Sequence, residues 1–199
     1  IHCIPTFTAS KTKVGEPQIG SYGLYFGRIT EEKGVETVVQ AYEKLQKYTV
    51  KIMGDDTTEE AIRLKRYIKE HKIKNIEFLG FKSGEELEDI IKGARFTLIP
   101  SIWYDNLPNT ALESFQYSKP VIASNIGSLP ELVVDGENGY LFKPADAEDL
   151  IKKIKLLDDD TVVEKMGAAS RRRLESRFSP ETHYEALMKV FSEAVKNNK

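Results

Sequence analysis

The sequence predicts a doubly wound α/β domain, in which a parallel sheet is covered by helices on both faces. Short apolar runs rich in β-branched and aromatic residues recur along the chain. Several of these runs lack polar alternation, as strands buried on both faces do. Segments with the helical spacing of apolar residues lie between the runs. In such folds ligands bind beyond the carboxyl ends of the strands, so a site is expected in the loops after the strands.

The first half of the chain supplies three of the predicted strands and two of the predicted helices. Residues 23–26, 50–53 and 76–81 are the apolar runs predicted as strands. The helix after the first run carries an apolar stripe on one face. That stripe consists of Val35, Val38, Val39, Tyr42 and Leu45. After the third run, Ser83 and Glu86 have the spacing of a capping box, which predicts that another helix begins there.

In the second half of the chain, predicted strands again alternate with predicted helices. Residues 96–99, 121–123 and 140–142 are predicted as strands. Between the first two of these strands we expect a helix with Asn106 as its cap and Pro108 at its first position. A later helix is indicated by the stripe Leu150, Ile151, Ile154 and Leu157. Ser179 followed by Pro180 is typical of a helix start. The last helix, which begins there, carries Tyr184, Leu187, Met188 and Phe191.

The composition excludes several classes of protein. The 199 residues carry 29 Lys and Arg against 31 Asp and Glu, a net charge of −2 that gives no reason to expect a nucleic-acid partner. The single cysteine Cys3 and the scattered His2, His71 and His183 provide neither a disulfide framework nor metal-ligand spacing. No apolar run is long enough to span a bilayer and no signal peptide is present, so we expect a soluble cytoplasmic protein. The first residue is Ile1 rather than Met, which predicts a piece of a longer protein.

The loop after the first predicted strand has features of a phosphate-binding loop. Gly27 and Gly34 stand at its ends and allow backbone to approach a ligand closely. The helix that follows offers unpaired N–H groups, and Arg28 and Lys33 add two cations suited to a diphosphate. The spacing matches neither the dinucleotide-binding glycine loop nor the Walker loop, which disfavours nicotinamide dinucleotides and Walker-type ATP binding. Taken alone, the loop is more typical of a surface turn with solvated charges.

The segment after residue 100 is a second candidate. The helix expected near Pro108 would point its first N–H groups at the same crevice. These groups belong to Asn109, Thr110 and Ala111. Asp105 and Glu113 stand eight positions apart, and each carboxylate can accept two hydroxyls of a sugar or a ribose. Taken alone, the pair is explained somewhat better by a capping aspartate and an acid on a helix face.

Taken together, these motifs resemble the C-terminal domain of retaining GT-B glycosyltransferases of family four, the glycosyltransferase group 1. The resemblance rests on GRITEEKGV, FLGF, LIPS and the block DNLPNTALESFQYSKPVIASNIGSLPELVVDGENGYLF, between residues 23 and 142. Such an order and spacing rarely arise by chance. The resemblance implies that residues 1–199 form a Rossmann-like, nucleotide-sugar-binding domain, the C-terminal half of a GT-B fold. It places the acceptor site on an N-terminal domain that this chain does not contain.

The resemblance also implies roles for particular residues. Arg28 and Lys33 match cations that bind the donor diphosphate, and Glu113 matches a glutamate that takes the ribose hydroxyls. Backbone N–H groups at Thr110 and Ala111 would assist at the diphosphate, and the backbone near Phe81 and Lys82 would meet the base. We therefore predict Arg28, Lys33 and Asp105 as catalytic residues. The predicted substrate-binding residues are Gly27, Phe81, Asn109, Thr110, Ala111, Leu112 and Glu113.

Three segments depart from the family pattern. Asp105 stands where the family commonly has Glu, and its side chain is one methylene shorter, which reduces its reach toward the donor sugar. The usual Gly-x-Pro-Val is Ser118-Lys119-Pro120-Val121 here, and the usual Glu-Ala-Met is Glu113-Ser114-Phe115. Neither of these two changes affects a predicted phosphate or ribose contact.

Three other motifs have both a functional and a structural explanation. The run Asp158-Asp159-Asp160 has the D-x-D spacing of metal-dependent sugar transferases, but an aspartate cluster favours ending one helix and capping the next. The basic residues Arg171, Arg172, Arg173 and Arg177 could meet an anionic membrane or a missing domain, although a solvated helix face is favoured. Trp103 and Tyr104 are equally consistent with a sugar platform and with ordinary core.

The sequence thus predicts the donor-binding domain of an enzyme that transfers a hexose from a UDP- or GDP-sugar to a glycan, lipid or other acceptor. The resemblance implies retention of anomeric configuration without a metal or another cofactor. Peripheral contact of the full-length enzyme with the cytoplasmic membrane face stays open. The alternatives are half of a sugar-nucleotide epimerase and a non-catalytic nucleotide-sugar-binding module. The piece alone is expected to bind donor but hardly to turn over.

Overall fold

One parallel sheet lies at the centre of the computed structural model, which describes residue 4, residues 6–8 and residues 18–197. Its strands are β1 (Tyr22–Phe26), β2 (Thr49–Met53), β3 (Ile76–Gly80), β4 (Ala94–Ile99), β5 (Val121–Ser124) and β6 (Gly139–Phe142). Each strand overlaps one of the predicted apolar runs, so the strand predictions are confirmed. Ile1, His2 and Cys3, which entered the predictions of a longer chain and of no metal or disulfide framework, lie outside the described residues.

Helices connect the strands and cover both faces of the sheet. Those along the first half are α1 (Val35–Lys44), α2 (Glu59–Glu70) and α3 (Gly84–Lys92), with a short 3₁₀ helix (Glu31–Lys33) before α1. Those along the second half are α4 (Asn109–Gln116), α5 (Leu129–Leu132), α6 (Ala147–Lys155), α7 (Asp160–Arg177) and α8 (Pro180–Asn197). The helix α2 was not predicted, because it buries only Ala61 and Leu64 and its apolar stripe is correspondingly faint.

The strands follow the order β3-β2-β1-β4-β5-β6, and every neighbouring pair is parallel. This is the doubly wound, Rossmann-like order, and the predicted fold class is confirmed. The chain leaves β1 in one direction across the sheet and, after β3, returns to build β4, β5 and β6 on the other side of β1. The carboxyl ends of β1 and β4 therefore flank the point where the strand order reverses.

Burial on both faces explains why β1 lacks polar alternation. Tyr25 packs into the core beneath α1 and α6, whereas Leu24 and Phe26 pack on the opposite face with Ile91. None of the three β1 residues is more than 6% exposed. A strand with no solvent-facing side needs an apolar residue at every position. The centre of the sheet therefore forms a fixed support for the loop that follows β1.

The helix starts follow the predictions in part. Ser179 accepts a hydrogen bond from the Thr182 N–H group at 3.1 Å, as expected for an N-cap of α8. A helix does follow Ser83, but Ser83 makes no capping bond with its side chain, and Glu86 pairs with Lys82 at 2.6 Å. The capping-box prediction is therefore wrong. Asp159 caps α7 by accepting from the Thr161 N–H group, as the cap interpretation of the aspartate run predicts.

Two further predictions about helices are corrected. The cap of α4 is Pro108 rather than Asn106, and the helix proper begins one residue later, at Asn109. Along α8, the apolar residues were expected to fold back on this domain or to promote self-association. Three of the four, Tyr184, Met188 and Phe191, are exposed, so they do not fold back.

Candidate functional site

Two adjoining cavities lie at the carboxyl ends of β1 and β4, where the strand order reverses. The larger cavity has a volume of about 470 Å³ and the smaller about 340 Å³. Gly27, Arg28 and Thr110 line both, so the two form one continuous crevice. This is the position at which open α/β sheets bind ligands, because loops from two directions diverge there and leave the strand ends uncovered.

The loop after β1 is tied to its surroundings by backbone contacts. The Gly27 N–H group donates to the Met53 carbonyl at 3.0 Å, which aligns the loop with the end of β2. Gly27 has a φ of 147°, a conformation that favours glycine. A Cβ atom at Gly54 would lie 2.1 Å from the Gly27 carbonyl oxygen, so only glycine fits there. These contacts place Arg28 at the wall shared by the two cavities.

Lys33 reaches the crevice from the other end of the same loop. Its Nζ atom lies 2.5 Å from Oδ1 of Asp105, and both side chains are less than one-fifth exposed, at 18% and 19%. The Ser101 hydroxyl donates to the other carboxylate oxygen of Asp105, and the Ser128 hydroxyl donates to its main-chain carbonyl at 3.0 Å. Both oxygens of Asp105 are thus engaged in this structure. Lys33 and Asp105 line the smaller cavity together with Asn109.

The start of α4 faces the same crevice, although not in every detail that the sequence suggested. The first helical residues, Asn109 and Thr110, line the smaller cavity, and their N–H groups precede the intrahelical hydrogen-bond ladder. The Ala111 N–H group was expected to be free, but it donates to the Pro108 carbonyl at 3.0 Å. Ala111 and Leu112 are buried and line neither cavity, because this face of α4 packs onto the sheet.

Glu113 lies one turn further along α4, in the wall of the larger cavity. Burial raises the pKa of its carboxyl group above the usual value. Phe81 and Lys82, from the loop after β3, line the same cavity, and the Phe81 side chain is exposed.

The structure therefore brings every predicted site residue except Ala111 and Leu112 to one crevice. Glu113 and Phe81 lie at its larger end, and Lys33, Asp105 and Asn109 at its smaller end.

Several residues of the crevice were missed by the sequence analysis. Tyr25, Thr58 and Ser101 hold its loops through hydroxyl groups. Asp55 lines the larger cavity after β2, and its carboxylate accepts from the Thr57 N–H and hydroxyl groups, which keeps its pKa below the usual range. Asp55 and Ser101 follow strand ends, so the strand-end rule already pointed to them. Nothing in the sequence indicated that Tyr25 and Thr58 would contact backbone.

The other candidate motifs lie elsewhere or make structural contacts. Asp158 accepts from the Tyr48 hydroxyl, and Asp160 pairs with Arg95 at 2.6 Å. No group of three or more His, Cys, Asp and Glu residues within the described part of the chain is arranged to hold a metal ion. Arg171 and Arg173 donate to the carbonyls of Gln116 and Glu131, which ties α7 to α4 and α5.

The aromatic pair before Asp105 is not part of the core. Trp103 is 66% exposed and Tyr104 is 74% exposed, so the core interpretation of these two residues is wrong. An epimerase would need a titratable acid/base cluster in the crevice, and neither His71 nor His183 lines its two cavities. His71 contacts Tyr67 and Glu43, and His183 contacts Phe7. Among the described residues, no helix has both the length and the apolar character needed to cross a membrane.

The fold and the crevice define a Rossmann-like α/β domain with two adjoining cavities at the switch point of the sheet. The chain belongs to the glycosyl transferases group 1, because the model of that family matches residues 7–173. The resemblance drawn from the motifs is thereby confirmed.

Curated relatives agree with this assignment. The chain is 28% identical over 173 residues to an uncharacterized glycosyltransferase, MJ1178, of Methanocaldococcus jannaschii, covering 87% of this chain and 48% of that protein. It is 28% identical over 198 residues to the glycogen synthase of Mycobacterium tuberculosis, covering 97% of this chain and 46% of that enzyme. The chain thus spans about half the length of these relatives.

Solved structures share the fold of this chain. One is Anabaena HepE in complex with UDP and glucose, with a TM-score of 0.78 over 87% of this chain and 48% of that one. The sequence identity is 20%, so this likeness establishes the fold.

Proposed function

We propose that this chain is the donor-binding domain of a retaining glycosyltransferase that uses a UDP- or GDP-sugar. The observation that carries the proposal is the meeting of Arg28, Lys33 and the start of α4 at the switch point, beside the carboxylate of Glu113. Cations and helix N–H groups match a diphosphate, and a carboxylate beside them matches a ribose diol. HepE, a protein with this fold, has a crystal structure in complex with UDP and glucose.

The diphosphate would lie along the wall that joins the two cavities. Arg28 lines both cavities and presents a planar fork of donors, which suits two phosphate oxygens at once. Lys33 supplies a point charge from the smaller cavity, and the N–H groups of Asn109 and Thr110 add the positive end of the α4 dipole. When the glycosidic bond breaks, negative charge develops on the departing nucleoside diphosphate. These groups would stabilise that charge in the transition state.

The nucleoside would occupy the larger cavity and the sugar the smaller one. Glu113 would accept hydrogen bonds from the ribose hydroxyls, and the backbone near Phe81 and Lys82 would meet the base. Asp105 would face the donor sugar, although its carboxylate is held by Lys33 and Ser101 in the free chain. A sugar hydroxyl would therefore add to this network, since each carboxylate oxygen can accept more than one hydrogen bond.

The proposal is tested by calorimetric titration of the chain with UDP, GDP, UDP-glucose and GDP-mannose, each with and without EDTA. We expect binding of one nucleotide class, and we expect it to survive EDTA because the site has its own cations. A strict Mg²⁺ or Mn²⁺ requirement would overturn the metal-free part of the proposal and return attention to Asp158 and Asp160. Absence of binding for all four compounds would overturn the proposed function itself.

A further inference from the structure

The backbone carbonyl groups of Arg28 and Ile29 each accept a hydrogen bond from a side-chain hydroxyl. The Tyr25 hydroxyl donates to the Arg28 carbonyl from within β1. The Thr58 hydroxyl donates to the Ile29 carbonyl at 2.7 Å from the start of α2. Two successive carbonyls of the loop are thus fixed by groups outside the loop, in addition to the contacts at Gly27.

Fixing these carbonyls sets the direction of the backbone at the proposed diphosphate site. A peptide unit is planar and trans, so the N–H group of Ile29 points opposite to the Arg28 carbonyl that shares its plane. A carbonyl oxygen turned toward a diphosphate would repel it, whereas an N–H group would attract it. The hydrogen bond from Tyr25 occupies the Arg28 carbonyl oxygen and fixes the orientation of this peptide unit before any ligand arrives.

Tyr25 is suited to this task by its surroundings. Its side chain is only 4% exposed, lies in the core beneath α1, and contributes to the wall of the smaller cavity. Burial, followed by the negative charge of Asp105, raises the pKa of the phenol above its usual value. The hydroxyl therefore keeps its proton, and remains a donor, at physiological pH. Because the ring is packed in the core, it is held in place without a ligand.

We propose that Tyr25 is a positioning residue, which acts through the Arg28 carbonyl to aim the Arg28 peptide and guanidinium at the donor diphosphate. This inference rests on the proposed function and deepens it. It assigns a purpose to a buried hydroxyl that donates to the Arg28 carbonyl. Preorganisation of this kind improves binding because the loop does not have to be ordered when the ligand arrives.

The test is Tyr25→Phe, which removes one oxygen and keeps the packed ring. Calorimetry with UDP and GDP, and with uridine and guanosine, should show roughly three- to tenfold weaker diphosphate binding, as expected for one lost hydrogen bond. Nucleoside binding should stay within about twofold, because the base and ribose contacts lie in the other cavity. Unchanged diphosphate affinity, or an equal loss for the nucleosides, would overturn the inference.

A matched control is available at the opposite end of β1. The Tyr22 hydroxyl donates to the Ile90 carbonyl at 2.7 Å from a partly buried position. Tyr22→Phe removes the same kind of bond far from the crevice, so it should lower the melting temperature similarly and leave UDP and GDP affinity unchanged. If both variants lose diphosphate affinity equally, Tyr25 has only a general structural role and the inference fails.

A double-mutant cycle with Arg28→Ala shows whether Tyr25 acts through Arg28. In the Arg28→Ala background, Tyr25→Phe should cause little further loss of diphosphate affinity, because the group that it positions has gone. A full additional loss would overturn the inference. Failure of the wild-type chain to bind any nucleoside diphosphate would overturn the proposed function and the inference together. Wild-type binding with an unaffected Tyr25→Phe variant would overturn the inference alone.

Discussion

At the scale of single residues, Arg28 is a cation that lines both cavities, and we propose that it binds the donor phosphates. Each bond from its guanidinium to a phosphate oxygen is charge-assisted. We expect Arg28→Ala to weaken UDP or GDP binding by about 1.5–3 kcal/mol and to leave uridine or guanosine binding nearly unchanged. Calorimetry on the four ligands checks this. Equal losses for nucleotide and nucleoside would show that Arg28 does not contact phosphate.

Glu113 is a partly buried acid whose burial lowers the stability of the folded chain at neutral pH. Burial raises the pKa of its carboxyl group, so the folded chain takes up this proton at a higher pH than the unfolded chain does. The stability that the group contributes is present below its unfolded pKa and is lost as the pH rises through its folded pKa. At about pH 7 the ionised carboxylate therefore opposes folding. Glu113→Gln should raise the melting temperature there, and this gain should disappear near about pH 4.

The same substitution should weaken nucleotide binding. Glutamine keeps one acceptor for a ribose hydroxyl but loses the charge, which should weaken UDP or GDP binding by about 1 kcal/mol. Wild-type affinity should also fall as the pH drops through the raised pKa of Glu113, an effect that Glu113→Gln should lack. Titration of the nucleotide phosphates affects both proteins alike, so the difference between their pH profiles isolates Glu113. Identical profiles would remove Glu113 from the ribose site.

At the scale of secondary-structure elements, Gly34 determines how closely the loop before α1 packs against the end of β4. It has a φ of 66°, and a Cβ atom there would lie 2.0 Å from the Pro100 carbonyl oxygen. Gly136 has a φ of 81°, but a Cβ atom would meet nothing within 4 Å. Gly136→Ala should therefore cost only the strain of the left-handed conformation, about 1–2 kcal/mol of unfolding free energy.

Gly34→Ala should cost the same strain plus the collision with Pro100, at least about 1–3 kcal/mol more. It should also weaken UDP or GDP binding, because the collision moves Lys33 away from Asp105 at the wall of the smaller cavity. Denaturant unfolding and calorimetry of the two variants provide the comparison. Equal destabilisation by both substitutions would mean that the contact with Pro100 relaxes without cost.

Secondary-structure elements could be predicted from the sequence where both of their faces are strongly buried. The strands beneath both helix layers, such as β1 and β5, show as apolar runs, because neither face meets water. The charged helix α2 was missed because it buries two residues only. Caps were predicted unevenly, since Ser83 and Ser179 have similar sequence signals but only Ser179 bonds to its helix. The cap depends on side-chain geometry that sequence spacing does not determine.

The site was predictable to a similar extent. Motif residues such as Arg28 and Glu113 could be identified from their positions after predicted strands and from the family resemblance. The supporting hydrogen bonds could not, because they join residues distant in the chain. Lys33 and Asp105 are 72 positions apart, and Thr58 and Ile29 are 29 positions apart. Such pairs become visible only when the strand order is known.

At the scale of the whole molecule, the parallel topology explains how these distant segments meet. The segments after β1, β3 and β4 end on one edge of the sheet, and the reversal of strand order opens the crevice between them. The chain spans 48% of MJ1178 and 46% of the glycogen synthase. The exposed apolar residues Tyr184, Met188 and Phe191 are a further surface of the molecule. The expectation that they promote self-association stays a prediction.

The last prediction concerns transfer by the chain alone. We propose that the acceptor, and the groups that position it, lie on an N-terminal domain beyond these residues, so that this chain supplies only the donor side of the reaction cleft. Holding two reactants together can correspond to effective molarities of about 10⁵ M or more. The chain should therefore bind UDP- or GDP-sugar with measurable affinity, while transfer falls by many orders of magnitude. Assays of this chain and the full-length protein, side by side with matched donor and acceptor, provide the test. Comparable turnover by the chain alone would show that the acceptor site lies within residues 1–199 and that the two-domain proposal is wrong.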